Sequence, residues 1–270
     1  MLKTAGDPGG NGMKIWRAVL IAGVCASAAS CATAPEPPTG VEGVSAAVAY
    51  VESYTQHAAG SLKEGGLGVV VVADGRVQTV YGAGFADNET ERPVTADTVF
   101  RYGSITKVFT ATAVMQLVAD GKVDLDEAIT TYVPDFEIGT TEELPPITIR
   151  HLLTHHAGLP GDISKGWVMA EDNVTAFRDT PALLAAEYAT YPPEHVFSYS
   201  NAGFALLGIV IERVSGQSYD AYLRDHVFGQ LGMDSAALSI DDAAAGTLAT
   251  GYSAIDDAHM NDYIRDVPAG

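Results

Sequence analysis

Beyond residue 31 the chain has no cysteine; its only two are Cys25 and Cys31. A disulfide framework is therefore excluded for the body of the protein, whatever compartment it occupies. Positive charge is also scarce, with 15 Lys and Arg against 34 Asp and Glu and a formal net charge of −19. A field of that sign repels phosphate backbones, and no local Lys/Arg cluster offsets it, so no nucleic-acid partner is expected. The same sign argues against electrostatic docking on anionic lipid, and any membrane contact must be made through something apolar. Long apolar runs are missing too: the stretch Ala18 to Ala29 is too short for a spanning helix. There is no G-x-S-x-G, H-E-x-x-H, G-x-x-x-x-G-K-[ST] or G-x-G-x-x-G string, which leaves a hydrolase elbow, a zinc protease, a P-loop and a dinucleotide fold without support. The seven histidines are scattered. His155 and His156 are adjacent, and chain neighbours are expected to point apart, so they read as structural; no metal and no cofactor is expected.

What is present is an ordinary globular composition, 47% hydrophobic and 18% charged over 270 residues, enough for one large domain or two small ones. At the N-terminus, Lys14 and Arg17 precede the apolar stretch from Ala18, and the small residues Ala28, Ala29 and Ser30 precede Cys31. Residues 1–30 thus read as a leader and secretory signal peptide. Small residues directly before a cysteine resemble the lipobox of bacterial lipoproteins, although Ala28 stands where leucine is usual. Lipidation of Cys31 is favoured over plain cleavage and release. Either reading makes the protein exported and periplasmic; the favoured one anchors it to a bacterial membrane by lipid. Residues 31–43 then form a tether, Pro-rich over 32–40 (ATAPEPPTG).

Periodicity and punctuation place the remaining elements. A helix is expected from Val44 to Gly60, followed by strands Leu67–Ala73 and Arg76–Tyr81 around Asp74-Gly75, a strong hairpin signal. Ser104 to Asp120 reads as a helix closed by Gly121, apolar on most faces and so buried. Thr148–His155 makes a short helix, and Thr180 caps another that has Pro181 at its first position and runs through Tyr188. Helices Ala202–Val214, stopped by Gly216, and Ser218–Phe228 complete the pattern. Nothing after residue 230 supplies an obvious strand. Residues 44–270 are expected to be a partial domain, its hairpin left with an open edge and its helix 104–120 exposing Val and Met surface.

Two short motifs carry chemistry. Ser104-Ile105-Thr106-Lys107 is S-x-x-K at the start of an apolar helix, and residues i and i+3 share a helix face. The Lys107 amine can approach the Ser104 hydroxyl, burial of that amine would favour its neutral, proton-accepting form, and the helix N-terminus favours an oxyanion. Alone, the string is common enough to mean only a capped helix and a snorkelling lysine. Tyr199-Ser200-Asn201 is Y-x-N before a helix. It reads equally as Asn201 capping that helix with Tyr199 packed in the core, and the two readings can hold together.

The run Phe100 to Lys107 resembles the F-R-x-x-S-x-T-K signature of the serine β-lactamase-related family. Ile147 to His155 with Gly158-Leu159-Pro160 is similar to its I-T-I-R-H-L-L-T-H-T-S-G-L-P segment, Phe197 to Gly203 to F-x-Y-S-N-x-[GN], and the tract Leu206 to Met233 follows the family as well. This resemblance implies an α+β, β-lactamase/transpeptidase-like fold, an antiparallel sheet flanked by helices with a mostly helical subdomain. It implies a serine hydrolase acting through a covalent acyl-enzyme on amide or ester bonds of a small-molecule or peptide substrate, with cell-wall peptides and β-lactams as candidates. Ser104 would be nucleophile, Lys107 and Tyr199 would share its proton, Asn201 would bind substrate and Lys107, and the Ser104 N–H would give half of an oxyanion hole. The chain departs from the pattern at His156-Ala157, where the family has Thr-Ser, and at Glu194, where it commonly has Gly. The third motif, K-[ST]-G or H-x-G after Y-x-N, is absent; His156-Ala157-Gly158 fits the string but precedes Y-x-N. The expectation is a sequence that stops before that motif. An esterase of the same family and a non-catalytic cell-envelope binding protein remain as alternatives.

Overall fold

The computed structural model describes residues 19–22, 43–141, 143–161, 176–239 and 246–252. Cys31 and its tether lie outside them, as does most of the leader. The chain divides into two compact units, Met1–Ala96 and Asp97–Gly270.

The first unit is an antiparallel sheet in the order β1-β2-β3-β4 with one long helix. The helix α1 (Val44–Gly60) has the expected bounds. The strands β2 (Gly66–Ala73) and β3 (Arg76–Asp87) form the expected hairpin, β3 running six residues further than the apolar run suggested. Asp74 and Gly75 both take positive φ, 51° and 71°, the backbone a two-residue turn needs to match strand twist. Thr79 Oγ1 donates to Glu52 Oε1 at 2.7 Å and Tyr81 OH to Gln56 Oε1 at 3.0 Å, tying β3 to α1. The short β4 (Arg92–Pro93) pairs with the end of β3. In the full chain β1 (Val19–Ala22) pairs along the outer edge of β2, Val19 opposite Val72 and Ala22 opposite Val69, so the open edge expected of residues 44–270 on their own is covered here by a segment outside that range. A run of valines offers unpaired backbone groups, and an apolar tetrapeptide from the expected signal segment satisfies them. Removal of residues 1–30 would uncover that edge again.

The second unit is helical. Gly103–Ile105 forms a 3-10 turn that leads into α2 (Thr106–Ala119), so Ser104 stands just before the α-helix and not within it. One stripe of α2, including Thr110, Ala113, Val114 and Leu117, is buried, while Val108 and Met115 are exposed. Burial is therefore one-sided here, and the expected Val and Met surface is seen. A single turn, α3 (Ile129–Tyr132), was not foreseen. The helix α4 (Ile149–Leu153) is shorter than expected but has a capping box, Thr148 Oγ1 accepting from His151 N–H while His151 Nδ1 accepts from Thr148 N–H.

Thr180 is not an N-cap. Asp179 holds that position without a side-chain bond, Thr180 begins α5 (Thr180–Leu184), and Pro181 is the second residue. The helix stops well before Tyr188 because Glu187 and Ala189 bond instead to the backbone of Gly139. The longest helix among the described residues of the unit, α6 (Asn201–Ser215), ends at Gly216 in a left-handed cap. After Ser218, α7 (Tyr219–Leu223) widens into a π turn over Arg224–Phe228, which lets the consecutive Val227 and Phe228 both be buried. Val114 and Leu117 of α2, Leu152 of α4 and Leu206, Leu207 and Val210 of α6 centre the core. Burying each such side chain fully is worth about 1.5–3 kcal/mol.

One loop approach is extreme. Gly158 has φ 68°, and a Cβ placed there would lie 1.8 Å from the Tyr191 carbonyl oxygen. Gly121 shares the left-handed backbone (φ 69°) but faces open space. Gly121→Ala should thus cost only the left-handed penalty of about 1–2 kcal/mol. Gly158→Ala should cost about 1–3 kcal/mol more, since the Tyr191 segment must also shift. Chemical denaturation of the two variants checks this, and equal losses would refute the close approach.

Candidate active site

Ser104 is exposed on its 3-10 turn, and Lys107, the second residue of α2, is half-buried. Lys107 Nζ donates to Asn201 Oδ1 at 2.6 Å and makes a longer contact of 3.4 Å with Ser104 Oγ. Tyr199 OH donates to Ser104 Oγ at 2.7 Å. The ammonium also sits 4.8 Å from the centre of the Tyr199 ring and 5.7 Å from that of Phe204, within cation–π range. The structure thus brings together all four residues that the two sequence motifs singled out.

The local folding of the Y-x-N segment differs from one sequence reading. Ser200, not Asn201, is the N-cap of α6: its buried Oγ accepts from Gly203 N–H at 3.0 Å and donates to the Pro160 carbonyl at 2.7 Å. Capping by the serine frees the Asn201 amide for Lys107. Nor is Tyr199 a core residue, being 41% exposed.

The loop from His155 to Gly161 braces this segment. Asn201 N–H donates to the Gly161 carbonyl at 2.9 Å, Ser198 N–H to the His155 carbonyl at 2.8 Å and Glu194 N–H to the His156 carbonyl at 2.9 Å. Glu194, where the family commonly has Gly, indeed adopts a left-handed φ of 70°, and its Oε1 lies 3.1 Å from His151 Nε2. Because His151 Nδ1 accepts from Thr148, its Nε2 carries the proton and donates to Glu194. With His155 at φ 58°, both rings meet Phe197, at 5.7 and 5.8 Å between centroids.

Among the described residues, no group of three or more His, Cys, Asp or Glu could hold a metal ion. A cavity of about 90 Å³ adjoins the turn that carries Ser104, lined by Tyr102, Thr106, Phe109, Phe228, Met233 and Leu248 among others. It includes none of Ser104, Lys107, Tyr199 and Asn201, so the Ser104 cluster is an open surface beside it. Chemically, the cluster is a hydroxyl between a phenol and an ammonium, on a helix N-terminus. That arrangement can pass a proton away from an attacking oxygen and stabilise negative charge.

The Beta-lactamase family model matches residues 51–270. Penicillin-binding protein 4 of Amycolatopsis lactamdurans is 36% identical over 168 residues, covering 62% of this chain and 43% of that protein. The chain spans less than half the length of that relative. Among solved structures, the octameric penicillin-binding protein homologue from Pyrococcus abyssi aligns with a TM-score of 0.66 and 30% identity, over 76% of this chain and 48% of that one. The D-amino acid amidase from Ochrobactrum anthropi SV3 complexed with D-phenylalanine aligns with a TM-score of 0.63 and 28% identity, over 76% of this chain and 59% of that one. The expected β-lactamase/transpeptidase-like fold, an antiparallel sheet with helices, is therefore observed.

Ser200→Ala removes both the α6 cap and the donor to Pro160. It should cost about 1–2 kcal/mol, and Ser200→Thr should restore most of that. Thermal melting by circular dichroism checks the pair; an unchanged midpoint in the alanine variant would show that the cap contributes nothing.

Proposed function

The chain belongs to the Beta-lactamase family, and on that premise we propose that it is a serine hydrolase whose nucleophile is Ser104 and which acts on amide or ester bonds through a covalent acyl-enzyme. The observation that carries the reading is the contact of Ser104 Oγ with Tyr199 OH at 2.7 Å, next to Lys107. Two hydroxyls at that separation can pass a proton in either direction. Ser104 Oγ attacks the substrate carbonyl carbon while its proton moves to the Tyr199 oxygen, which receives it either as a phenolate held by the Lys107 ammonium or as a phenol that hands its own proton to a neutral Lys107 amine. The same proton then goes to the leaving amine or alkoxide as the carbonyl re-forms, leaving an ester on Ser104 that water hydrolyses. Asn201 holds Lys107 through its amide oxygen and hydrogen-bonds the acyl side of the substrate. The Ser104 N–H supplies one oxyanion donor.

The amide-cleaving side of this reading, with cell-wall peptides or β-lactams as substrates, is favoured by the penicillin-binding-protein relatives. A fluorophosphonate or β-lactam probe should add its mass to Ser104 in the wild type and not in Ser104→Ala; equal labelling of both removes the assignment. Lys107→Ala should lower kcat/KM by on the order of a thousandfold and Tyr199→Phe by less. A lysine variant with wild-type rates would take Lys107 out of the mechanism.

Export and lipid anchoring at Cys31 belong to the same proposal, supported by the leader sequence and by bacterial relatives. Among the described residues no helix is long and apolar enough to cross a membrane. Expressed in a bacterium, the full chain should reach the membrane fraction with diacylglycerol on Cys31, read by mass spectrometry. Soluble periplasmic protein starting at another residue would mean ordinary cleavage.

A further inference from the structure

His155 touches three consecutive residues around the candidate proton acceptor. Its carbonyl accepts from Ser198 N–H at 2.8 Å. Its ring lies 4.5 Å from the Tyr199 ring, tilted by 34°, and 5.0 Å from Phe204. Its Nδ1 accepts from Ser200 N–H at 3.2 Å. A left-handed φ of 58° is costly for a residue with a side chain, and these contacts hold the ring there.

We propose that His155 is a positioning residue that holds the Tyr199 phenol at the Ser104 hydroxyl, and that only its neutral imidazole does so. The inference rests on the serine-hydrolase reading above, in which that phenol takes the serine proton. An Nδ1 that accepts from a backbone N–H carries no proton, so the ring is the neutral, Nε2-protonated tautomer. A proton arriving at Nδ1 turns the acceptor into a donor facing another donor, which breaks the bond to Ser200. It also sets a second cation near Lys107. The charged and titratable groups facing the ring are Lys107 from α2, Tyr199 from the segment before α6 and His156 from its own loop; Phe204 covers it from α6. Burial first, then the charge of Lys107 and of His156, hold the His155 pKa below the ordinary 6.5. The unfolded chain therefore takes up this proton more readily than the folded one. Stability carried by the neutral ring is complete above 6.5 and is lost as pH falls from there toward the lower folded value.

Two substitutions separate the ring face from the acceptor. Asn tolerates the left-handed backbone, sets Oδ1 close to where Nδ1 stood, and does not titrate. Phe keeps the ring and loses the acceptor. The measurement is the rate of Ser104 modification by a fluorophosphonate, followed by intact mass on the full chain from about pH 5 to 9. The wild type should show an acid limb whose midpoint coincides with the His155 titration read by ring-carbon NMR. His155→Phe should label at least about tenfold more slowly across that range. His155→Asn should recover much of the lost rate and lack the limb. Wild-type labelling in His155→Phe, or an unchanged limb in His155→Asn, overturns the proposal. If either variant fails to melt cooperatively, the wild-type coincidence of limb and titration decides, and a mismatch is fatal. If the wild type is not labelled at all, the hydrolase reading fails separately. Positioning is then read from the Tyr199 ring resonances, which should move as His155 titrates, and resonances that stay put overturn it.

Discussion

The contact between Lys107 Nζ and Asn201 Oδ1, at 2.6 Å, joins the first turns of two helices that are distant in sequence. Everything else in the cluster depends on those helix starts converging. Lys107 is the second residue of α2 and Asn201 the first of α6, so neither can adjust without moving its helix. The helices pack against each other, with Ala113, Val114 and Leu117 of one and Ala202, Leu206 and Leu207 of the other fully buried in the core. A slip of one turn, about 5.4 Å, would unmake both the packing and the contact. Tyr199, two residues ahead of α6, arrives at Ser104 only because the α6 start is fixed in this way.

The parts of this arrangement that depend on neighbours in sequence were legible before any coordinates. Asp74-Gly75 specified a hairpin, Gly216 a helix end, and the three-residue spacing of Ser104 and Lys107 a shared face. Choices between equally good local options were not. Serine and asparagine are both strong N-caps, so Tyr199-Ser200-Asn201 did not say which residue would cap α6. The tertiary partner decided, because Lys107 engages the Asn201 amide and Ser200 finds Pro160. Likewise α5 ends at Leu184 because the following backbone pairs with Gly139, a long-range competitor that no helix pattern contains. The strand β1 was hidden for a similar reason, since its short apolar run carries the same composition as a signal segment.

The loop from His155 to Gly161 shows a different kind of blindness. Side chains of adjacent residues diverge in regular structure, and that rule made the histidine pair look incidental. At His155 the backbone turns left-handed, and both rings reach Phe197. Glu194 follows the same logic, since a residue with positive φ stands where glycine is common, held by the hydrogen bond from His151. Unusual backbone in this part of the chain is thus concentrated in the loop and the turn that frame Tyr199, where side-chain contacts over-determine it.

Charge gives the last constraint. The chain is strongly acidic, and Lys122, Arg150, Arg178, Arg213 and Arg224 each pair with a carboxylate. Lys107 instead meets an amide oxygen, a hydroxyl and two ring faces. A carboxylate in place of Asn201 would attract the ammonium with a full charge and favour it outright, whereas an amide oxygen orients it with a dipole alone. The same replacement would set a negative charge beside the oxygen that the proposed reaction makes more negative. An asparagine satisfies both demands together: it is short enough to bridge two helix starts, polar enough to fix the lysine, and neutral toward the attacking serine.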